Sequence, residues 1–408
     1  MTPAGTPKKA QQRGTSVALK PANMELDGVP PATINAMQRH EAISRDQGSG
    51  GTNDIPMVPS PKHPYVDIPP RSHWMRSVAH RDPLQIEDWY QPRFRITDQA
   101  IATAGSCFAQ HIGRRVREAG FRFIDAEPAP GFIVNGATRL EYGYGMYSAR
   151  YGNVYTPRQL WQLIERAFGR FKPKDDHWIW RDGVVDPFRP TIEPEPFSSV
   201  DELRRSRSHH LAMVREVFET VDLFVFTLGL TECFGSRHDG AVYPVAPGVN
   251  GGTWDPAAVA FHNFRPEEVL ADMRSFLTAL RALRPHLQVL VTVSPVPLMA
   301  TASGEHVAVA TMRSKSTLRA AASALTDEFA WVDYFPSYEI IASPAVQGRF
   351  FETDMRSVSA AGVDHVMREF FRVNPPPAAT QKAVQAEVAD DEAIACDEEL
   401  MRTFGDRR

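Results

Sequence analysis

Residues 101–112 read Ile101-Ala102-Thr103-Ala104-Gly105-Ser106-Cys107-Phe108-Ala109-Gln110-His111-Ile112. A short apolar run stops at a glycine, and beyond it Phe108, Ile112, Val116 and Ala119 recur at helical spacing. The stretch predicts a strand over 100–104, a tight turn, and a helix over 108–119. Such a turn lifts a side chain out at the carboxyl edge of a sheet, and the unpaired N–H groups of the following helix favour negative charge beside it. A thiol placed there tends towards thiolate. Ser106 and Cys107 are therefore both candidate nucleophiles for acyl transfer. A plainer reading carries equal weight on the pattern alone: Ser106 caps the helix and Cys107 is a small buried filler.

Outward from this turn, apolar runs alternate with helix-period segments. Strands are predicted at 121–125, 221–228, 287–293 and 330–334, and helices at 157–168, 201–219, 266–283, 312–328 and 359–372. Leu223-Phe224-Val225-Phe226 and Val289-Leu290-Val291-Thr292-Val293 show no polar alternation, as expected of parallel strands covered on both faces. The expectation is an α/β chain with a doubly wound, mostly parallel central sheet. Ligands in such sheets gather beyond the carboxyl ends of the strands, so the segments after each strand carry most weight.

Residues 1–60 are rich in Pro, Gly, Ser, Thr and Asn and predict a disordered leader. Residues 61–374 form the expected globular domain. The remainder, 375–408, opens on Pro375-Pro376-Pro377 and turns acidic at Asp390-Asp391-Glu392. It is expected to be either a solvated tail or a short helix from Asp391 to Phe404 that docks on the domain or a protein partner.

Composition excludes several classes. A net charge of −4 with no basic block argues against nucleic acid and anionic membrane surfaces. Cys107, Cys233 and Cys396 are odd in number and widely spread, which fits neither a disulfide framework nor a Cys-x-x-Cys metal site. No secretory apolar run follows Lys8-Lys9, and no stretch approaches the ~20 apolar residues of a membrane span. The expectation is a cytoplasmic protein in a reducing compartment. No phosphate loop, His-Glu-x-x-His helix or calcium loop occurs, so neither metal nor nucleotide cofactor is expected by motif, with acyl-CoA left open as a co-substrate.

The Gly-Ser-Cys-Phe-Ala pentapeptide at 105–109 resembles the signature of the GSCFA-domain proteins, a group similar to the SGNH/GDSL hydrolases. Further matches lie at Tyr151-Gly152-Asn153-Val154-Tyr155-Thr156, Thr227-Leu228-Gly229-Leu230-Thr231-Glu232, Ser294-Pro295-Val296-Pro297 and Tyr334-Phe335-Pro336-Ser337-Tyr338-Glu339. The resemblance implies a three-layer α/β/α, flavodoxin-like fold and esterase or acyltransferase chemistry on an acylated carbohydrate, polysaccharide precursor or lipid. Carried over by position, the Gly-Asp-Ser turn of that superfamily falls on Gly105-Ser106-Cys107. Cys107 then stands at the nucleophile's place, and an offset of one residue makes it Ser106.

The Gly-x-Asn-Asp block matches Gly229-Leu230-Thr231-Glu232, with Thr231 where an oxyanion-binding Asn would be. Gly229 and Asn153, with the N–H of Gly152, are the remaining oxyanion candidates, and Asn153 is alternatively a turn residue in left-handed geometry. Glu232 orients a base, binds a sugar hydroxyl, or caps a helix beginning at Cys233. The final Asp-x-x-His block matches Asp354-Met355-Arg356-Ser357, in which the histidine is absent. Asp354 would orient the base or substrate, and Arg356 would hold an anionic group or pair with Asp354.

The base must then come from elsewhere. His306, in the connection after Pro297, is preferred to His111, one helical turn beyond Cys107. Lys315, between Ser314 and Ser316 at an expected helix start, is a candidate for holding an anion, while Arg189 and Trp254 are candidates for lining a carbohydrate pocket. A lone lysine at a helix start is usually solvated, and loop packing explains Arg189 and Trp254 equally well. A catalytically degenerate carbohydrate- or protein-binding module is the competing reading of the whole chain.

Overall fold

A computed structural model describes residues 63–377. The expected leader, Cys396, and the tail beyond Pro377 with its short helix lie outside the described residues. The chain divides into two units between Val66 and Asp67, and the fold below is that of the second.

The central sheet has four strands, all parallel, in the order β1-β4-β8-β9: β1 Ile101–Gly105, β4 Leu223–Leu228, β8 Gln288–Val293 and β9 Val332–Phe335. The unbroken apolar runs form the two central strands, as their lack of alternation requires. The strand expected at 121–125 is reduced to one parallel bridge, Ile101 with Phe123. Ile101 N donates to Arg122 O and Ile124 N to Ile101 O, after which the chain leaves the sheet.

Eight helices connect and cover these strands: α1 Cys107–Glu118, α2 Gly136–Glu141, α3 Pro157–Ala167, α4 Val200–Thr220, α5 Pro266–Leu283, α6 Val307–Glu328, α7 Ser337–Ala342 and α8 Ala360–Val373. Period-2 geometry sorts the strand side chains onto two faces. Ala102, Ala104, Phe224, Phe226, Val289 and Val291 pack under α3, α4, α5 and α6. Ile101, Leu223, Val225 and Leu290 meet α1, α7 and α8 on the other face. Both apolar layers are closed, giving a three-layer α/β/α architecture, and each fully buried Phe, Leu or Val contributes roughly 1.5–3 kcal/mol.

Two small antiparallel sheets join this frame: the hairpin β2 Trp178–Trp180 with β3 Gly183–Val185, and the sheet β6-β5-β7, built from β5 Glu232–Ser236, β6 Val242–Tyr243 and β7 Val259–Asn263. The second grows from the carboxyl end of β4. Among the described residues, no helix is long and apolar enough to cross a membrane.

Candidate active site

At the carboxyl end of β1, Ser106 is the extended N-cap residue of α1 and Cys107 its first helical residue. Both are buried, at 3% and 5% exposure. Ser106 does not cap with its side chain. Its Oγ is buried without a hydrogen-bond partner, while its Cβ faces Gly229. Cys107 packs in the apolar layer shared with Phe108, Ile101 and Val296.

The loop over 147–155 is locked to this turn. The Tyr147 hydroxyl donates to Asn153 Oδ1 at 2.5 Å, with Ser106 O 3.2 Å away, and Gln110 Nε2 donates to Tyr147 Oη at 3.1 Å and to Asn153 Oδ1 at 3.2 Å. Two donors on one oxygen fix the amide's orientation, so Asn153 Nδ2 is directed away from them. Val154 N donates to Gly105 O at 2.8 Å. The left-handed geometry expected of Asn153 belongs instead to Gly152, at φ 68°, because a residue without Cβ takes that region freely.

Gly229 closes the junction from β4. Its N–H and that of Leu230 both donate to Tyr155 O, at 3.1 and 2.9 Å. A Cβ at residue 229 would stand 2.9 Å from Tyr155 O and 3.0 Å from Ser106 Cβ, which is why the position is a glycine. Lys315 Nζ donates to Gly229 O at 2.8 Å. Lys315 was expected at a helix start, but α6 begins eight residues earlier, at Val307. The lysine therefore sits in mid-helix at 0% exposure, turned inward onto the Gly229 carbonyl. Beside it, Ser314 Oγ accepts from Thr231 N at 3.0 Å, and Thr231 Oγ1 donates to Asn263 Oδ1 at 2.7 Å.

The structure distributes the other candidates more widely. His306 is the exposed N-cap of α6, and its Nδ1 accepts from Ala308 N at 3.2 Å. His111 lies on α1 beside Phe108, with ring centroids 5.7 Å apart. Burial, then the charges of Arg114 and Arg115, push it down to about 4, so it is a neutral imidazole near pH 7. Asp354 accepts from Arg356 N, Ser357 N and Ser357 Oγ at 2.7–2.8 Å. It is a turn-forming carboxylate on the loop before α8, with Arg356 buried beside it.

Glu232 opens β5, so no helix begins at Cys233. It accepts from Thr301 Oγ1 at 2.8 and 3.0 Å, and its half-burial raises its pKa against the lowering effect of that bond. Trp254 is 46% exposed and stands edge-on to Phe234 at 5.6 Å.

Arg189 is buried behind the 147–155 loop. It pairs with Asp186 at 3.1 Å and donates to Arg150 O at 3.2 Å. Arg207 bonds both oxygens of Asp186 at 3.2 Å. Glu127 accepts from Arg150 N and contacts His210 Nδ1, each at 2.8 Å. These charges clamp the backbone that presents Asn153. Tyr147, Gln110 and Tyr155 were not singled out in the sequence; Gln110 and Tyr155 lie within the two motif-bearing segments, while Tyr147, four residues before the second, carries no such signal.

The model of the GSCFA family matches residues 100–370. The chain belongs to the GSCFA family. The matched span of this GSCFA chain begins at the strand that leads into the 105–109 turn and ends within α8. Solved structures give distant likenesses. One is described as a candidate platelet activating factor from Streptococcus pneumonia, at 13% identity and a TM-score of 0.24, and covers 41% of this chain. The GSCFA chain spans 64% of that protein. Another is an acetyl esterase S10A mutant with acetate ion, at 10% identity and a TM-score of 0.27, covering 67% of this chain and 94% of its own. A search of curated proteins returned no match.

Proposed function

We propose that this GSCFA protein is an acyl-ester hydrolase or O-acyltransferase in which Cys107 is the nucleophile. The observation that carries the reading is the locked junction of three loops at the carboxyl edge of the parallel sheet: the 106–107 turn, the 147–155 loop and Gly229. Cys107 opens α1, where helix N–H groups stabilise a thiolate. Ser106 Oγ has no partner, and a hydroxyl without a base is a poor nucleophile near pH 7.

The Cys107 thiolate attacks the acyl carbonyl, forming a C–S bond. The N–H groups at the start of α1 and the Asn153 amide face the oxyanion. Collapse expels the alcohol of an ester donor, or the CoA thiol where acyl-CoA is the donor, and the leaving group takes a proton from solvent. Water, or an acceptor hydroxyl in the transferase case, then attacks the thioester and regenerates the thiol. Trp254 offers an exposed ring for a sugar acceptor, which favours an acylated carbohydrate, and acyl-CoA is the donor to test.

A second reading, a binding module without chemistry, is favoured by Ser357 where the fourth position of Asp-x-x-His falls and by the exposed, capping role of His306. Hydrolysis of p-nitrophenyl butyrate and transfer from acetyl-CoA are compared in wild type, Cys107→Ala and Ser106→Ala. Loss of about a thousandfold in Cys107→Ala alone is expected for a covalent nucleophile. Absence of turnover in wild type leaves the binding module, and unchanged turnover in Cys107→Ala removes Cys107 as the nucleophile.

A further inference from the structure

The sheet β6-β5-β7 and the segment after β8 enclose a cavity of about 170 Å³. Tyr155, Leu230, Phe234, Val245, Ala246 and Leu298 give it an apolar lining, and Glu232 and Thr301 supply a polar pair on its wall. Tyr155, Leu230, Leu298 and Ala310 form a buried cluster of their own, apart from the two main layers. The cavity adjoins the candidate active site through shared backbone. Tyr155 O holds Gly229 N and Leu230 N, and Gly229 abuts Ser106.

An apolar cavity of about 150 Å³ is large enough for benzene, so this one takes about six carbons. Its position beside the 106–107 turn suits the acyl part of an ester whose carbonyl lies at that turn. Glu232 opposes a second negative charge on the chain, and burial of its carboxyl on this wall makes an anionic neighbour costlier still.

We infer that this cavity is an acyl-chain pocket that selects uncharged acyl groups of about four to six carbons. The inference rests on the esterase reading and extends it to substrate class.

The test is a chain-length series of p-nitrophenyl esters from acetate to decanoate. Each buried methylene improves transition-state binding by about fourfold, so kcat/KM rises about fourfold per carbon up to hexanoate and levels or falls from octanoate onward. Ala246→Phe, which fills the cavity, removes the rise while leaving acetate turnover within about threefold. A hemisuccinate ester is refused by wild type and accepted by Glu232→Gln. A flat series, or an Ala246→Phe variant with the wild-type profile, overturns the pocket and leaves the esterase reading standing. If no ester is hydrolysed, calorimetry with hexanamide decides the pocket on its own. Binding to wild type that Ala246→Phe abolishes supports it, and no binding overturns it.

Discussion

Gly229→Ala tests whether the three-loop junction is as tight as its distances imply. An added Cβ meets Tyr155 O at 2.9 Å, Ser106 Cβ at 3.0 Å and Tyr155 Cα at 3.3 Å, where ordinary contact begins at 3.4 Å. Two of these neighbours are backbone atoms in hydrogen-bonded segments, so relief requires the 106–107 turn and the 155 segment to separate by about 0.4–0.5 Å. Overpacking of this kind costs about 1–3 kcal/mol of stability. A misplacement of 1 Å costs about a hundredfold in rate, so half of that costs about tenfold. The assays are urea unfolding and p-nitrophenyl butyrate hydrolysis. Gly235→Ala serves as control, because its Cβ would meet nothing closer than Ala241 O at 3.4 Å. The expected result is a loss of about 1–3 kcal/mol and about tenfold in kcat at residue 229, with neither change at residue 235. A Gly229→Ala protein with wild-type stability and turnover refutes the claim that these loops form one rigid site.

Acid should weaken the fold through His210, whose ring is pushed down to about 4 by burial and then by the Arg189 charge, against the pull of Glu127. The unfolded chain binds a proton there below about pH 6.5 while the folded chain does not. Stability is therefore full above that pH and falls by about 3 kcal/mol at most between 6.5 and 4. Urea titrations at pH 7, 6 and 5 check this, and His210→Gln, which can still donate to Glu127, should show a shallower fall; an identical slope removes His210 from the account. Arg189→Met takes one cation from the buried Asp186 and the donor from Arg150 O, at a cost of about 3 kcal/mol. Asp186→Ala should cost more, because it strands Arg189 and Arg207 together, and urea midpoints that rank the two the other way contradict the clamp. Asn153→Ala leaves Tyr147 and Gln110 without their shared acceptor and removes the oxyanion donor proposed above. A loss of about a hundredfold in kcat is expected, and unchanged kcat takes Asn153 out of the site.

The sheet was legible where a segment's own side chains decide its fate. Phe224, Phe226, Val289 and Val291 lie in uninterrupted apolar runs, and a strand covered on both faces is the cheapest way to bury them. Helix α5 matched its expected bounds at both ends, because Pro266 can start a helix and the apolar stripe runs unbroken to Leu283. The start of α6 was misplaced for the opposite reason. Val307, Val309 and Met312 in its first turns are solvent-exposed, so the amphipathic period that marks a helix is missing there. The reduced strand near Phe123 alternates correctly in sequence but has only Ile101 to pair with.

The site was legible as a turn and opaque as a constellation. Lys315 between two serines has the pattern of a solvated face. Its burial depends on a carbonyl 86 positions away in sequence, a partner no local window contains. The same holds for Thr231, whose hydroxyl goes to Asn263, and for Arg189, whose role is set by the backbone of Arg150. The sheet β6-β5-β7 escaped notice because Glu232–Ser236 mixes charge, sulfur, glycine and an aromatic, and its pairing with Val259–Asn263 supplies the order.

These long-range bonds share one physical origin. The 147–155 loop is buried without regular secondary structure, and buried backbone groups must still find partners. Arg150 and Arg189 satisfy carbonyls along that loop and its neighbours, at Tyr142, Ile192 and Arg150 itself. Glu127 takes the N–H of Arg150. Guanidinium groups suit the task because several donors stand in a fixed plane, and each then needs a carboxylate nearby to offset its own desolvation. Asp186 and Glu193 stand where that requirement places them. The charged cluster is thus the support that lets an irregular loop hold Asn153 beside the 106–107 turn, and an apolar replacement of the cluster would fill the space while leaving the loop's carbonyls unsatisfied.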